Sequence, residues 1–242
     1  MAKVDKFYFL ENGEGEKKVL FIHGAGGSHQ NWILQIKNPP KGFTYIALDL
    51  PGHGKSEGSY REKVEDYAED VIEFVEKRGI EPFAMVGHSL GGCIAISAYL
   101  KGLRVKGLVL VSSALKLWGA RAFNTPPDRY HICDSLFYDW RLRAQCKSGN
   151  IGLFNQDFEV LRADMKAAEN CDLRGFADKI NVPVLMVYGF FDRMLPAWAI
   201  DETYYLLKGR SRKVGLEAAH MPMVERAEEF NLILSDFLTG LE

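Results

Sequence analysis

Five short, almost wholly apolar runs punctuate this chain: Val19 to Ile22, Phe43 to Leu48, Phe83 to Val86, Gly107 to Val111 and Val184 to Tyr188. Runs this short without polar alternation mark strands buried on both faces, because neither side meets water. Between them stand amphipathic helical patterns. Val64, Tyr67, Ala68, Val71, Ile72 and Val75 recur at helix spacing, and so do Val224, Ala227, Phe230, Ile233, Leu234 and Phe237. Buried strands alternating with one-faced helices predict an α/β fold: a mostly parallel central sheet with helices on both faces and right-handed crossovers. In such sheets functional residues gather beyond the carboxyl ends of the strands.

The rhythm fails once, from residue 115 to residue 178. That stretch holds Pro126-Pro127, dispersed aromatics (Trp118, Phe123, Tyr130, Phe137, Tyr138, Trp140, Phe154, Phe158) and short helical pieces. It is too apolar for a disordered linker. The expected organisation is a single domain, with a core of residues 1–114 and 179–242. A helical lid, residues 115–178, is inserted over the strand ends. Near the start, Val4 to Leu10 reads as one edge strand, followed by a turn at Asn12-Gly-Glu-Gly15;.

Composition excludes several function classes. A chain of 242 residues, 47% of them hydrophobic, buries a large core without staples;. A formal net charge of −2 gives no electrostatic reason to bind nucleic acid or an anionic membrane;. No apolar run approaches the ~20 residues of a membrane-spanning helix. The start, Met-Ala-Lys-Val-Asp-Lys, lacks the apolar centre of a secretory signal, so the cytoplasm is the expected location;. Cys93, Cys133, Cys146 and Cys171 are scattered without a C-x-x-C pair, which argues against a zinc site or a disulfide framework;. No metal or cofactor is expected.

The apolar run ending at Val86 leads directly into Gly87-His-Ser89-Leu-Gly91 and then into a helix-forming run, Cys93 to Leu100. Glycines flanking a serine let the backbone turn sharply from strand to helix, which leaves the hydroxyl on an exposed corner above a helix N-terminus. The same pentapeptide also suits a plain turn that starts a helix, so partners decide the matter. A serine hydroxyl needs a base, and the base needs an orienting carboxylate. Of six histidines, His220 alone stands in a loop between a last strand (Arg212 to Leu216) and the C-terminal helix. His88 adjoins the serine and points elsewhere. His23 and His53 lie in Gly-rich turns, and His29 and His131 lie in polar surroundings. The carboxylate expected is Asp192, in the loop after Val184 to Tyr188, although a turn aspartate reads the same way. Donors for a developing oxyanion would be the backbone N–H groups of Leu90 and Ala25, the latter within His23-Gly-Ala-Gly-Gly27;.

On these residues the chain resembles the α/β-hydrolase superfamily, in its single-domain, lidded, esterase-like branch. The matching segments are His23 to Gly27 with Trp32, Leu48-Asp-Leu-Pro-Gly-His-Gly-Lys-Ser56, Gly87 to Gly92, Gly189-Phe-Phe-Asp192 and Ala219-His-Met-Pro-Met-Val-Glu225. The resemblance implies a Ser89–Asp192–His220 triad, Ala25 and Leu90 as oxyanion donors, and a structural role for Asp49 and His53. Ala219 replaces the family's usual glycine, Met221 stands where carbon–carbon hydrolases often carry an aromatic, and the N-terminal part looks one strand short of eight. Ser89 argues against dehalogenases and epoxide hydrolases, which use an aspartate.

The expected activity is hydrolysis of carboxylic esters with small to medium apolar acyl groups, through an acyl-enzyme and with a small-molecule ester as partner. Two alternatives use the same site. One is a carbon–carbon hydrolase or lyase on a carboxylated substrate; Arg141, Arg143 and Arg162 could read such a carboxylate, although solvated surface positions are the favoured reading for them. The other is a slow-turnover ligand receptor.

Overall fold

A computed structural model describes residues 2–118, 129–149 and 157–241. Eight strands form one sheet: β1 (Ala2–Val4), β2 (Phe7–Asn12), β3 (Lys17–Ile22), β4 (Phe43–Leu48), β5 (Pro82–His88), β6 (Gly107–Val111), β7 (Val184–Gly189) and β8 (Ser211–Leu216). Their spatial order is β1-β2-β4-β3-β5-β6-β7-β8. β1 and β2 pair antiparallel to their neighbours, and every pairing from β4 onward is parallel. The expected single edge strand is thus a hairpin, turned at Asp5 and Lys6, and it supplies the strand that the N-terminal section seemed to lack. The cause is local: Asp5 takes a φ of 51°, which reverses the chain within an otherwise alternating run;.

The described α-helices are α1 (Ile33–Ile36), α2 (Val64–Arg78), α3 (Leu90–Leu100), α4 (Arg129–Leu136), α5 (Trp140–Lys147), α6 (Phe158–Asn170), α7 (Ala197–Leu206), α8 (Pro222–Glu225) and α9 (Ala227–Thr239), with short 3₁₀ helices at His29–Trp32 and Arg174–Lys179. Helix α2 starts with Glu65 and Asp66, ends with Lys77 and Arg78, and stops at Gly79, whose φ of 62° caps it. Both charge placements complement the helix dipole. Its buried face holds Val64, Tyr67, Ala68, Val71 and Val75 of the stripe read from the sequence, with Phe74 and Asp70 added, while Ile72 is half-buried. One apolar cluster joins this face to α3 and to Leu20, Ile22, Met85, Leu108 and Met186 of the sheet. A second, on the opposite face, joins Phe21, Val86, Val109 and Val187 to Trp32, Phe230 and Leu234. The C-terminal stripe is broken into α8 and α9 at Arg226.

Between β6 and β7 the chain contributes α4, α5 and α6 rather than one crossover helix. Residues of this insertion enter both clusters: Ala167 and Ala168 on one face, Ile132, Leu136 and Phe137 on the other. The cysteine reading is corrected here. Cys133 and Cys146 are joined by a disulfide, because α4 and α5 bring their Cα atoms to 5.7 Å, while Cys93 and Cys171 are buried and unpaired by disulfides. Pairing across two short helices leaves no spacing signature in sequence. Pro126, Pro127, Phe123 and Phe154 lie outside the described residues.

Candidate active site

Strand β5 ends at His88 and α3 begins at Leu90, so Ser89 alone makes the corner, with φ 50° and ψ −119°. That region is strained for any residue with a Cβ and persists only where surroundings enforce it. Here the Ser89 N–H donates to the Val111 carbonyl at 2.8 Å, and the Ser89 carbonyl accepts from Ser113 Oγ at 2.7 Å. A Cβ on Gly87 would lie 2.2 Å from the Gly91 carbonyl oxygen, and one on Gly91 would lie 2.4 Å from those of Ile22 and His23. Only glycines let the corner close this tightly against the loop after β3.

Asp192 lies past β7 and His220 past β8. Asp192 Oδ2 accepts from His220 Nδ1 at 2.8 Å, with both side chains 4% exposed. Asp192 Oδ1 accepts the N–H groups of Met194 and Leu195 at 2.8 and 3.0 Å, so the residue is a turn aspartate as well as a partner of His220. Two further groups fix the loop that carries His220. His88 Nε2–H donates to the His220 carbonyl at 2.9 Å. Glu225 accepts the Ala219 N–H at 2.6 Å, and also those of Tyr138 and Asp139 from the insertion at 2.7 and 2.8 Å. His88 thus holds the backbone of His220 rather than serving Ser89 as a base. Burial keeps the His88 imidazole well below its ordinary pKa, hence neutral;. Burial also raises the Glu225 pKa, against three N–H donors that favour the carboxylate.

Loop 23–27 crosses beneath this corner. His23 is fully buried; its Nδ1–H donates to the Gly24 carbonyl at 2.8 Å, and its Nε2 accepts the Leu50 N–H at 3.1 Å. Those roles require the neutral ring, and burial, aided by the charge of His53, pushes its pKa down to about 4;. His29 was read as a polar-loop histidine, but it is buried with its ring on the Asp49 carboxylate at 2.9 Å. Asp49 also accepts the Lys55 N–H at 2.9 Å, so the segment from Asp49 to Lys55 is tied down by that carboxylate.

Ser89, Leu90, Ala25 and His220 line one cavity of about 770 Å³, a figure that includes its open mouth. The rest of its wall is mostly aliphatic, with Leu117, Ile132, Leu136, Leu161, Met165 and Met194 among others, and Asn31 and His88 are its further polar members. The described aromatics of the insertion do not line this cavity. Trp118, Tyr130, Tyr138, Trp140 and Phe158 are exposed, and Phe137 packs in the second cluster. Arg141, Arg143 and Arg162 do not line the cavity. Arg143 donates to the Tyr138 carbonyl and Arg162 pairs with Glu159. Among the described residues, no three His, Cys, Asp or Glu side chains converge to hold a metal ion, and no helix is long and apolar enough to cross a membrane.

A further buried carboxylate lies outside the residues that the sequence singles out. Asp164, on α6 of the insertion, is 1% exposed and meets Gly26 N, His53 Nε2 and Tyr67 Oη at 2.8, 2.7 and 2.5 Å. The signal was a charge placed between Leu161 and Ala168 on the apolar stripe of a helix;.

A family model described as the alpha/beta hydrolase fold matches residues 17–132. A pimeloyl-[acyl-carrier protein] methyl ester esterase of Neisseria meningitidis is 30% identical over 250 residues, covering 93% of this chain and 78% of that protein. The dihydrolipoyllysine-residue acetyltransferase component of the acetoin cleaving system of Cupriavidus necator is 29% identical, and the chain spans 66% of its length. Among solved structures, the enol-lactonase of Burkholderia xenovorans superposes with a TM-score of 0.84 over 96% of both chains at 23% identity, a likeness of fold. With the eight-stranded sheet, the serine corner after β5 and these matches together, the chain belongs to the α/β-hydrolase superfamily.

Proposed function

We propose that this protein is a serine esterase acting on carboxylic esters whose acyl group is uncharged, aliphatic and small to medium in size. The observation that carries the reading is the 2.8 Å bond from His220 Nδ1 to Asp192, in a site where His220 shares an aliphatic cavity with Ser89. A carboxylate at Nδ1 keeps the proton on that nitrogen, which leaves Nε2 as the base. Nε2 takes the Ser89 proton as Oγ attacks the ester carbonyl. The N–H groups of Leu90, at the start of α3, and of Ala25 stabilise the oxyanion. His220 then hands its proton to the departing alcohol, and water activated by the same nitrogen releases the acid.

The cavity wall supports the substrate class. Among the described residues it carries no Lys or Arg, so a substrate carboxylate would enter it without a guanidinium or ammonium to offset its charge;. That disfavours the reading as a carbon–carbon hydrolase or lyase on a carboxylated substrate. Residues 115–178 act in this reading as the lid, and its α4 and α6 supply Ile132, Leu136, Leu161 and Met165 to the wall. The relatives named as methyl ester esterases are consistent with ester chemistry.

The test is a panel of p-nitrophenyl esters of increasing acyl length beside half-esters of dicarboxylic acids, run on wild type and Ser89→Ala. Neutral acyl esters should be turned over at least ~10-fold faster than carboxylated ones of equal length, and Ser89→Ala should lose at least ~10⁴-fold in kcat. Equal rates in the two proteins would refute the nucleophile. Sub-stoichiometric product with a large ligand-induced change in the lid would favour a receptor.

A further inference from the structure

We propose that Asp164 is a positioning residue: from the lid it holds the oxyanion loop, so that Ala25 keeps its N–H at the cavity beside Ser89. The inference rests on the hydrolase reading above and adds a residue that the triad does not contain.

Two peptide planes flank Ala25. The carbonyl of Gly24 and the N–H of Ala25 belong to one trans peptide unit and point in opposite directions;. His23 Nδ1–H and the Gly27 N–H both bond the Gly24 carbonyl, at 2.8 and 3.1 Å, and so fix that plane. The next unit joins Ala25 to Gly26, and its N–H donates to Asp164 Oδ2 at 2.8 Å. With both flanking planes held, Ala25 has neither backbone torsion free. The loop has little slack on its other side, because a Cβ on Gly24 would lie 3.2 Å from Ser89 Cβ and 2.7 Å from His88 Nδ1. The first plane is held by the β3 loop itself. The second is held from 138 residues away, by the insertion.

Asp164 makes these bonds away from water. It is the one charged residue on the buried face of α6, and each partner comes from outside its own helix. His53 and Tyr67, whose rings pack at 6.0 Å, hold the carboxylate in place;. With the aspartate anchored by those two, its remaining contact determines where Gly26 sits. Seating α6 therefore assembles the oxyanion loop, and lifting α6 would release it.

The experiment compares wild type, Asp164→Ala, Asp164→Asn and Tyr67→Phe. Its readouts are the second-order rate constant for labelling of Ser89 by a fluorophosphonate, kcat and KM on a neutral p-nitrophenyl ester, near-UV circular dichroism, and the amide exchange of Gly26. Asp164→Ala should slow labelling and kcat by ~10–100-fold, below the full loss of an oxyanion donor, with KM changed less than ~3-fold since Asp164 does not line the cavity;. Asp164→Asn keeps an acceptor for Gly26 and should restore both rates to within ~3-fold of wild type. Tyr67→Phe removes one of the two anchors of that carboxylate but leaves its bond to Gly26, so both rates should fall by less than ~10-fold, short of the loss in Asp164→Ala;. In the wild type, Gly26 should exchange at least ~100-fold more slowly than an unprotected amide.

A folded Asp164→Ala labelled at the wild-type rate overturns the inference. So does a loss in Tyr67→Phe equal to that in Asp164→Ala, which would mean general loosening of the cluster. If Asp164→Ala does not fold, an unprotected Gly26 amide in the wild type overturns it alone. Wild type that fails to react at Ser89 overturns the proposed function and this role with it, a result distinct from the others.

Discussion

Replacing His23 by asparagine tests whether a buried neutral imidazole supports loop 23–27. The ring is fully buried and its pKa is about 4, against an ordinary value near 6.5. The sign follows from that depression. In the unfolded chain the ring takes a proton as pH falls through ~6.5, while in the folded protein it stays neutral, so the stability it confers is present above ~6.5 and drains away toward pH 4. Between pH 7 and pH 5 a group moved from 6.5 to about 4 loses about 2 kcal/mol of stabilisation;. Asparagine can still donate to the Gly24 carbonyl but carries no titrating ring. His23→Asn should thus be the less stable protein at pH 7, with the gap narrowing by about 2 kcal/mol at pH 5. His53 works in the opposite sense: burial lowers its pKa, but the charge of Asp164 and the bond to it more than offset this, so its contribution is greatest at low pH. Both proteins contain His53, and subtraction removes it to first order. Urea midpoints with matched m-values, taken at half-unit pH steps, give the curve. A gap that stays constant to within about 0.5 kcal/mol would refute a depressed titration at His23.

Three other outcomes follow from the same geometry. Asp192→Asn should keep the turn bonds to Met194 and Leu195 yet lower kcat by about 10⁴-fold, because His220 loses the partner that sets its tautomer; pre-steady-state ester hydrolysis reads this directly;. Glu225→Leu orphans the N–H groups of Ala219, Tyr138 and Asp139 and should destabilise by about 2–4 kcal/mol in denaturant titrations, whereas Glu225→Gln should recover more than half;. Reducing the Cys133–Cys146 bond, which closes a loop with a sequence separation of 13, should raise amide exchange across α4 and α5 and leave the core strand β5 unchanged;.

Much of the architecture was legible in the linear chain, for reasons that are local. Phe43 to Leu48 and Gly107 to Val111 form strands over those same residues, since a run buried on both faces must be apolar throughout;. The corner at Ser89 is written in Gly87 and Gly91, whose neighbours leave no room for a Cβ. Loops after consecutive parallel strands all emerge at one edge, so strand order alone places Ser89, Asp192 and His220 on the same side of the sheet. Other features depend on residues that meet only after folding. Asp164 and Gly26 are 138 positions apart, and His88 and the His220 carbonyl are 132 apart. The Cys133–Cys146 bond and the mostly aliphatic cavity wall likewise arise from how separate elements seat against one another. Periodicity records which face of an element is buried, and it carries no record of which distant partner covers that face. The packing of the insertion onto the sheet supplied that information.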